Sequence, residues 1–370
     1  MCQDPITSRW PGRCLLHNYC KEVRLVPERD SNGDVLWTWT YPSVTEQQQA
    51  LVLRKCCLDG DHVAVQPFVY GRSGKAWYYI NCTEVFESDN LPRVKQFALV
   101  LWSRDLNPDK YETLCRMLSK TYCKTGSPVS MLQLYLSVVT RGSCTTEENG
   151  TFLVRDFESR SNHNNHTPNT RIRELIRVFG LETILIYTAL LLKKRIVVYH
   201  HSLEALLKWM STFPALMWHR KAADILFPWI DLVPEELIDL KSNTSFVAGC
   251  RDSAVGTRTD LYDVLVNLPA REITVAPHAK ESMTMTKTHK DIAVFMVQLA
   301  ENEALSEQQV VREIADKTRE LLNQLRLLAT VSTPEGKNMV SIETLREKNL
   351  PQALDNFLFN LAVAENMMML

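Results

Sequence analysis

Residues 181–218 read LETILIYTALLLKKRIVVYHHSLEALLKWMSTFPALMW. The first third is apolar on nearly every side, which assigns it to a helix at the centre of a layer. Lys193, Lys194 and Arg195 interrupt it. Cations there offset the negative end of a helix dipole, or face a partner. Ile196–Tyr199 is a short β-branched run of the kind buried on both faces of a parallel sheet. An amphipathic helix over Leu203–Phe213 then stops at Pro214. Helix, strand and helix make one unit of an α/β layer. The unit holds no nucleophile, metal-ligand set or phosphate loop, so it reads as a scaffold that presents a surface to a partner.

Just upstream, Ile172, Leu175, Ile176 and Phe179 recur at helical spacing and Gly180 closes the run. Downstream, strands are expected at Phe246–Cys250, Val264–Asn267 and Ile273–Ala276. The tail is helical. Ser306 and Gln309 form a capping box, Val310, Val311, Ile314, Leu321, Leu322, Leu325 and Leu328 line one face, and a last helix covers about Pro351–Met368.

The first half has a different grammar. Asn32-Gly33 supplies the positive φ angles of a hairpin turn. The strand before it, Val23–Val26, is weak and ends at Pro27; the strand after it is Val35–Tyr41. Thr45 and Gln48 cap a helix that runs through Leu58. Strands at Val65–Tyr70, Ala76–Asn81 and Phe97–Trp102 precede helices at Lys110–Cys123 and Val129–Val139. This order reads as an antiparallel sheet with helices packed on it. From Glu147 to Thr170 the pattern breaks, and the polar, proline-stopped stretch 161–169 reads as a flexible connection. Residues 1–20 show no periodicity and read as a poorly ordered leader.

A length of 370 residues suits two domains better than one core. The composition is 45% hydrophobic and 23% charged, with a net charge of -1. Without a basic excess there is little drive to neutralise phosphates, so no nucleic-acid partner is expected. The longest apolar run falls short of the ~20 residues that span a bilayer, and the N-terminus lacks a signal-peptide core. Ten scattered cysteines without a C-x-x-C pair read as reduced thiols, with Cys56 and Cys57 adjacent and poorly placed for a bridge. The expected location is cytoplasmic, and the sequons at Asn81, Asn149, Asn165 and Asn243 then carry no sugar.

Each chemical motif has a plainer reading. Gly71-Arg72-Ser73-Gly74-Lys75 is too short for a phosphate loop and fits a hairpin turn. His163 and His166 sit in the Asn-rich connection, where binding a metal would cost ordering entropy. His200 and His201 end a strand, where α/β folds often place functional groups, but no carboxylate adjoins them in sequence. Asp260, Tyr262 and Asp263 offer two carboxylates and a phenol at the start of a strand, for acid/base work or for capping. Trp37, Trp39 and Tyr41 alternate, so a strand would point all three to one face. That face is either lobe core or an aromatic anchor for a partner, and Trp39 and Tyr41, nearest the strand end, are the best anchor candidates.

At this point a resemblance emerges. Asn32–Ser43 (NGDVLWTWTYPS), Leu53–Leu58 (LRKCCL), Glu147–Gly150 (EENG), Leu192–His200 (LKKRIVVYH), Pro214–Arg220 (PALMWHR), Asp260–Leu268 (DLYDVLVNL) and Glu272–Pro277 (EITVAP) resemble the DENN domain-containing protein 10 family, in order, from about Asn32 to the C-terminus. The resemblance implies a bilobed α/β module. Its α+β N-terminal lobe is a longin-like antiparallel sheet with helices, and its α/β C-terminal lobe is a Rossmann-like three-layer unit with a helical tail. On this chain the pieces fall at 1–20 (leader), 21–156 (longin-like lobe), 157–170 (linker) and 171–370 (C-terminal lobe). The family has an apolar first strand, whereas Val23–Pro27 is poorer and residues 1–20 do not match. Either the leader is an alternative start or that strand forms imperfectly.

DENN modules bind Rab GTPases between their lobes and promote GDP release, so the resemblance implies exchange or effector-like binding without covalent chemistry, cofactor or metal. It places the chain in endosomal transport at late endosomes, held to membranes through partners. Asp260 and Tyr262 are the candidates for a Rab-binding groove. The second reading is a non-catalytic subunit that docks the coiled-coil part of the Commander endosomal recycling assembly through Trp39 and Tyr41. A metabolic α/β enzyme is the third reading, and it lacks a glycine-rich turn, a metal set and a triad.

Overall fold

The computed structural model describes residues 22–30, 32–41, 43–56, 66–86, 88–148, 150–157, 170–332 and 338–369. The readings at residues 1–20, Cys57, His163 and His166, and most of the 157–170 connection, lie outside these. Two compact units are present, Met1–Tyr70 with Lys75–Phe157, and Gly71–Gly74 with Glu158–Leu370.

Strands β1 (Glu22–Asp30), β2 (Val35–Trp37), β3 (Phe68–Ser73), β4 (Ala76–Glu84) and β5 (Val94–Ser103) form one sheet in the order β2-β1-β5-β4-β3, which lies in the first unit except for the last three residues of β3. β1 runs antiparallel to β2 and β5, and β4 antiparallel to β5. Gly33 (φ 92°) makes the β1–β2 turn, and the Asp30 carboxylate accepts from the backbone N–H of Asn32 and of Asp34. Helix α1 (Glu46–Cys56) starts from the Thr45–Gln48 box, whose two reciprocal hydrogen bonds form. Helices α2 (Pro108–Thr125) and α3 (Pro128–Arg141) follow, α2 packed on β4 and β5. Tyr78, Tyr79, Phe97, Leu99, Leu101, Tyr111, Leu118 and Met131 fill the core.

Several sequence expectations needed correction in this unit. β1 does not stop at Pro27 but continues to Asp30, although it is an interior strand. Its register against β5 shifts between Leu25 and Glu28. A bulge there tolerates a residue with no N–H to donate. The break expected from Glu147 also begins too early. β6 (Ser143–Thr146) and β7 (Gly150–Leu153) pair as a hairpin that buries Cys144 and Phe152.

In the second unit, β8 (Arg195–Tyr199), β9 (Leu226–Ile230), β10 (Phe246–Cys250), β11 (Val264–Asn267) and β12 (Glu272–Val275) form a sheet in the order β12-β11-β8-β10-β9. β11, β8, β10 and β9 are parallel, and β12 turns back antiparallel on β11. β8 is central and Ile196, Val197 and Val198 are fully buried. Helices α4 (Ile172–Phe179), α5 (Thr183–Leu191), α6 (Leu203–Met210) and α7 (Pro234–Lys241) belong to the layer, and every α5 residue except Leu185 is buried. The tail comprises α8 (Lys287–Glu301), α9 (Glu307–Leu327), α10 (Ile342–Glu347) and α11 (Gln352–Ala364), with a small β13–β14 pair (Val331–Ser332 and Asn338–Met339) between α9 and α10.

β9 and α7 were not expected from the sequence. Pro228 sits in the middle of β9, which argues against a strand. β9 is an edge strand, and its pairing with β10 slips between Ala248 and Cys250, so the missing N–H disrupts little. Gly249 lies at that slip because a Cβ would stand 2.3 Å from the Pro228 carbonyl oxygen. The first unit is thus an antiparallel sheet with helices packed on it, and the second a mostly parallel sheet flanked by helices with a helical tail.

Candidate functional site

Arg195 opens β8, Asp263 precedes β11, and Lys241 ends the helix before β10. These strands are parallel, so the three residues share the amino edge of the sheet. There the Asp263 carboxylate accepts from the Arg195 backbone N–H (2.7 Å), Nε (3.3 Å) and Nη2 (2.8 Å), and His278 Nε2 stands 2.9 Å from it. Arg195 Nη1 also donates to the Asp260 carbonyl at 2.9 Å. Burial alone would raise the Asp263 pKa, but the Arg195 and His278 hydrogen bonds outweigh it and hold the carboxyl below its ordinary range. Charge-assisted bonds to a largely enclosed carboxylate are among the stronger polar contacts.

Asp260 stands beside this cluster and is half exposed. Its oxygens accept from Arg258 Nε (2.8 Å) and Nη2 (2.9 Å) and from Lys241 Nζ (3.0 Å). These bonds, Arg258 foremost, hold its carboxyl far below the usual range. Tyr262 departs from expectation. A groove residue should be accessible, yet Tyr262 is 2% exposed and belongs to the core with Phe246, Leu261 and Leu265. Its hydroxyl donates to the Gly256 carbonyl at 2.8 Å. Leu261 and Tyr262 both turn into the core, while the Asp260 carboxylate just before them stays out. No local signal marks Arg195 as Asp263's partner, because only the parallel neighbouring of β8 and β11 brings residues 68 apart together.

The opposite, carboxyl edge is where ligands of open parallel sheets usually bind. His200 and His201 stand there with stacked rings, centroids 4.5 Å apart. The Ser202 backbone N–H donates to His200 Nδ1 at 2.9 Å. Burial, then the neighbouring His201, lowers the His200 pKa. Among the described residues no three His, Cys, Asp or Glu side chains converge on a metal position, and no helix is long and apolar enough to cross a membrane.

In the first unit, the regular strand ends at Trp37, so Trp39 and Tyr41 lie beyond it. Their rings stack with centroids 6.2 Å apart and planes 13° from parallel. Trp39 is half-buried, whereas Tyr41 is 50% exposed and Leu36 58% exposed. The pair is a short aromatic ledge, more covered at Trp39 and more open at Tyr41.

A protein-family model described as SPA, stabilization of polarity axis, matches residues 169–277. Over 341 residues the chain is 45% identical to DENN domain-containing protein 10 of Mus musculus, covering 92% of this chain and 94% of the mouse protein. The Homo sapiens protein of that name gives the same identity and coverage. The Danio rerio protein is 44% identical over 341 residues, 92% of this chain and 96% of its own length.

Proposed function

The chain belongs to the DENN domain-containing protein 10 family, and from that premise we propose that it binds Rab GTPases and promotes their release of GDP in late-endosomal transport. The observation that carries this reading is similarity at 45% identity across 92% of the chain, which takes in both units. Exchange needs no nucleophile, metal or cofactor from the factor. It needs a surface that binds the nucleotide-free GTPase more tightly than the loaded one, and by linkage such a surface weakens nucleotide binding by the same factor. A thousandfold acceleration corresponds to roughly 4 kcal/mol of preferential transition-state stabilisation, within reach of an ordinary interface.

Within this reading Asp260 is the contact residue and Tyr262 a positioning residue. Tyr262 fixes the Gly256 carbonyl and the turn Ser253–Thr257 from inside. The test is immobilised protein against purified Rab GTPases in nucleotide-free, GDP and GTP-analogue forms. Tighter binding of one nucleotide-free Rab supports exchange. Preference for the GTP form assigns an effector role, and equal weak binding to all forms contradicts the reading.

The stacked Trp39–Tyr41 ledge favours a second role, docking a coiled-coil subunit of the Commander assembly, with membrane recruitment through that partner. Flat aromatic pairs with one exposed face concentrate binding energy. Tyr41→Ala should weaken such docking and leave GDP release unchanged.

A further inference from the structure

Arg258 and Lys241 reach Asp260 from different elements. Lys241 is the last residue of α7, and Leu240 before it is buried in the core of the layer. Arg258 follows the turn Ser253–Thr257 and is pinned through its backbone. Its N–H donates to the Val255 carbonyl at 3.0 Å, and its carbonyl accepts from the Leu261 N–H at 2.9 Å. Tyr262 holds the same turn at Gly256. Both side chains therefore start from fixed positions, which lowers the ordering cost of a contact they make.

Their charges are not matched. Arg258 Nη2 and Lys241 Nζ donate to the same oxygen, Asp260 Oδ2, at 2.9 and 3.0 Å, while Arg258 Nε takes Oδ1 at 2.8 Å. Among the described residues neither cation makes another ion pair. The Asp263 carboxylate of the same sheet edge is already engaged by Arg195 and His278. Two cations thus share one carboxylate, and one positive charge is left over at a half-exposed spot. Among the described residues the Arg258 Nη1 group and two of the Lys241 ammonium protons make no hydrogen bond. One added carboxylate balances the spot, and the guanidinium offers it directional, charge-assisted donors. A partner's cation would instead meet the surplus positive charge around Asp260.

We propose that the Rab GTPase places an aspartate or glutamate carboxylate on Arg258 and Lys241, with Asp260 holding the two cations in position for it. This inference rests on the Rab-binding reading and adds to it the sign of the partner's charge. Asp260 belongs to the contact as the group that brings the cations together.

The test uses the full chain and the nucleotide-free form of whichever Rab it binds most tightly. Arg258→Gln and Lys241→Gln should each lower the affinity by at least about threefold, and the double variant by at least about tenfold. Wild-type affinity should fall as salt rises. Both side chains are half exposed, and an unchanged melting curve verifies the fold. Arg312→Gln, at an exposed position on α9, removes the same charge elsewhere and should leave the affinity unchanged. Each acidic surface residue of the Rab is then changed to lysine in turn. One such change should weaken binding to wild type and restore binding to Arg258→Glu. Affinity that is unaltered or tighter in the double variant overturns the inference, as does an equal loss with Arg312→Gln or a scan that finds no restoring residue. Each of those results leaves the Rab-binding reading in place. Binding of no Rab in any nucleotide state overturns that reading first, and the inference with it.

Discussion

Replacing Asp263 tests whether the amino-edge network holds the fold. The carboxylate is 13% exposed and accepts four contacts, three from Arg195, whose own side chain is 29% exposed. Removing one partner of a fully buried pair costs about 3–5 kcal/mol. Arg195 can rehydrate in part and keeps its bond to the Asp260 carbonyl, so Asp263→Ala should cost about 2–3 kcal/mol. Asp263→Asn retains an acceptor for the Arg195 backbone N–H and should cost about 1–2 kcal/mol. Native-state hydrogen exchange at the β8 and β11 amides reads the opening free energy of this unit directly. The folded pKa lies below the unfolded value of about 3.9, so the contribution is complete above roughly pH 4 and fades as pH falls through the folded value. The penalty of Asp263→Ala at neutral pH should therefore shrink near pH 3. A loss under about 0.5 kcal/mol at neutral pH would show that the cluster is a solvated ornament and refute the reasoning.

Further expectations concern neighbouring parts of the molecule. Tyr262→Phe removes one hydrogen bond without a cavity and should cost about 1 kcal/mol in thermal or denaturant unfolding, while lowering exchange by loosening the turn it holds. Asp260→Ala lies in a half-exposed triad and should change stability by no more than about 0.5 kcal/mol; reduced GDP release in that variant would mark it as a contact residue, and wild-type release would remove it. His219 and His289 are held neutral mainly by burial, with Arg220 adding to the effect at His219, and both pKa values fall to about 4. Lowering pH from about 6.5 towards 4 should destabilise the second unit, by at most about 1.4 kcal/mol per pH unit for each histidine. His219→Gln and His289→Gln should flatten that slope, and an unchanged slope would place the titration elsewhere. Ser306→Ala breaks the capping box of α9 and should cost about 1 kcal/mol.

Much of the fold was legible because its signals are local. The Ile172–Phe179 periodicity, the Thr45 and Ser306 boxes and the β-branched run of β8 all fall where spacing and capping chemistry place them. The failures have a common cause. Pro27 and Pro228 argue against strands by removing a donor, and each is tolerated at a register slip that only strand pairing reveals. α8 was also missed, since its box uses Thr286 with His289 in the position where Glu or Gln is the usual signal. The candidate site was legible only in part. The stretch Asp260–Asp263 puts Asp260 and Tyr262 two residues apart, but only the folded turn decides that the ring goes inward and the carboxylate stays out. Likewise Trp39 and Tyr41 were expected on a strand, yet they stack just beyond its end.

The most direct test of the central claim is GDP release from a panel of purified Rab GTPases, with and without this protein, at matched magnesium. The account predicts accelerated release from one or a few Rabs, diminished by Asp260→Ala. Unchanged release across the whole panel, with the protein folded by its melting curve, would contradict it.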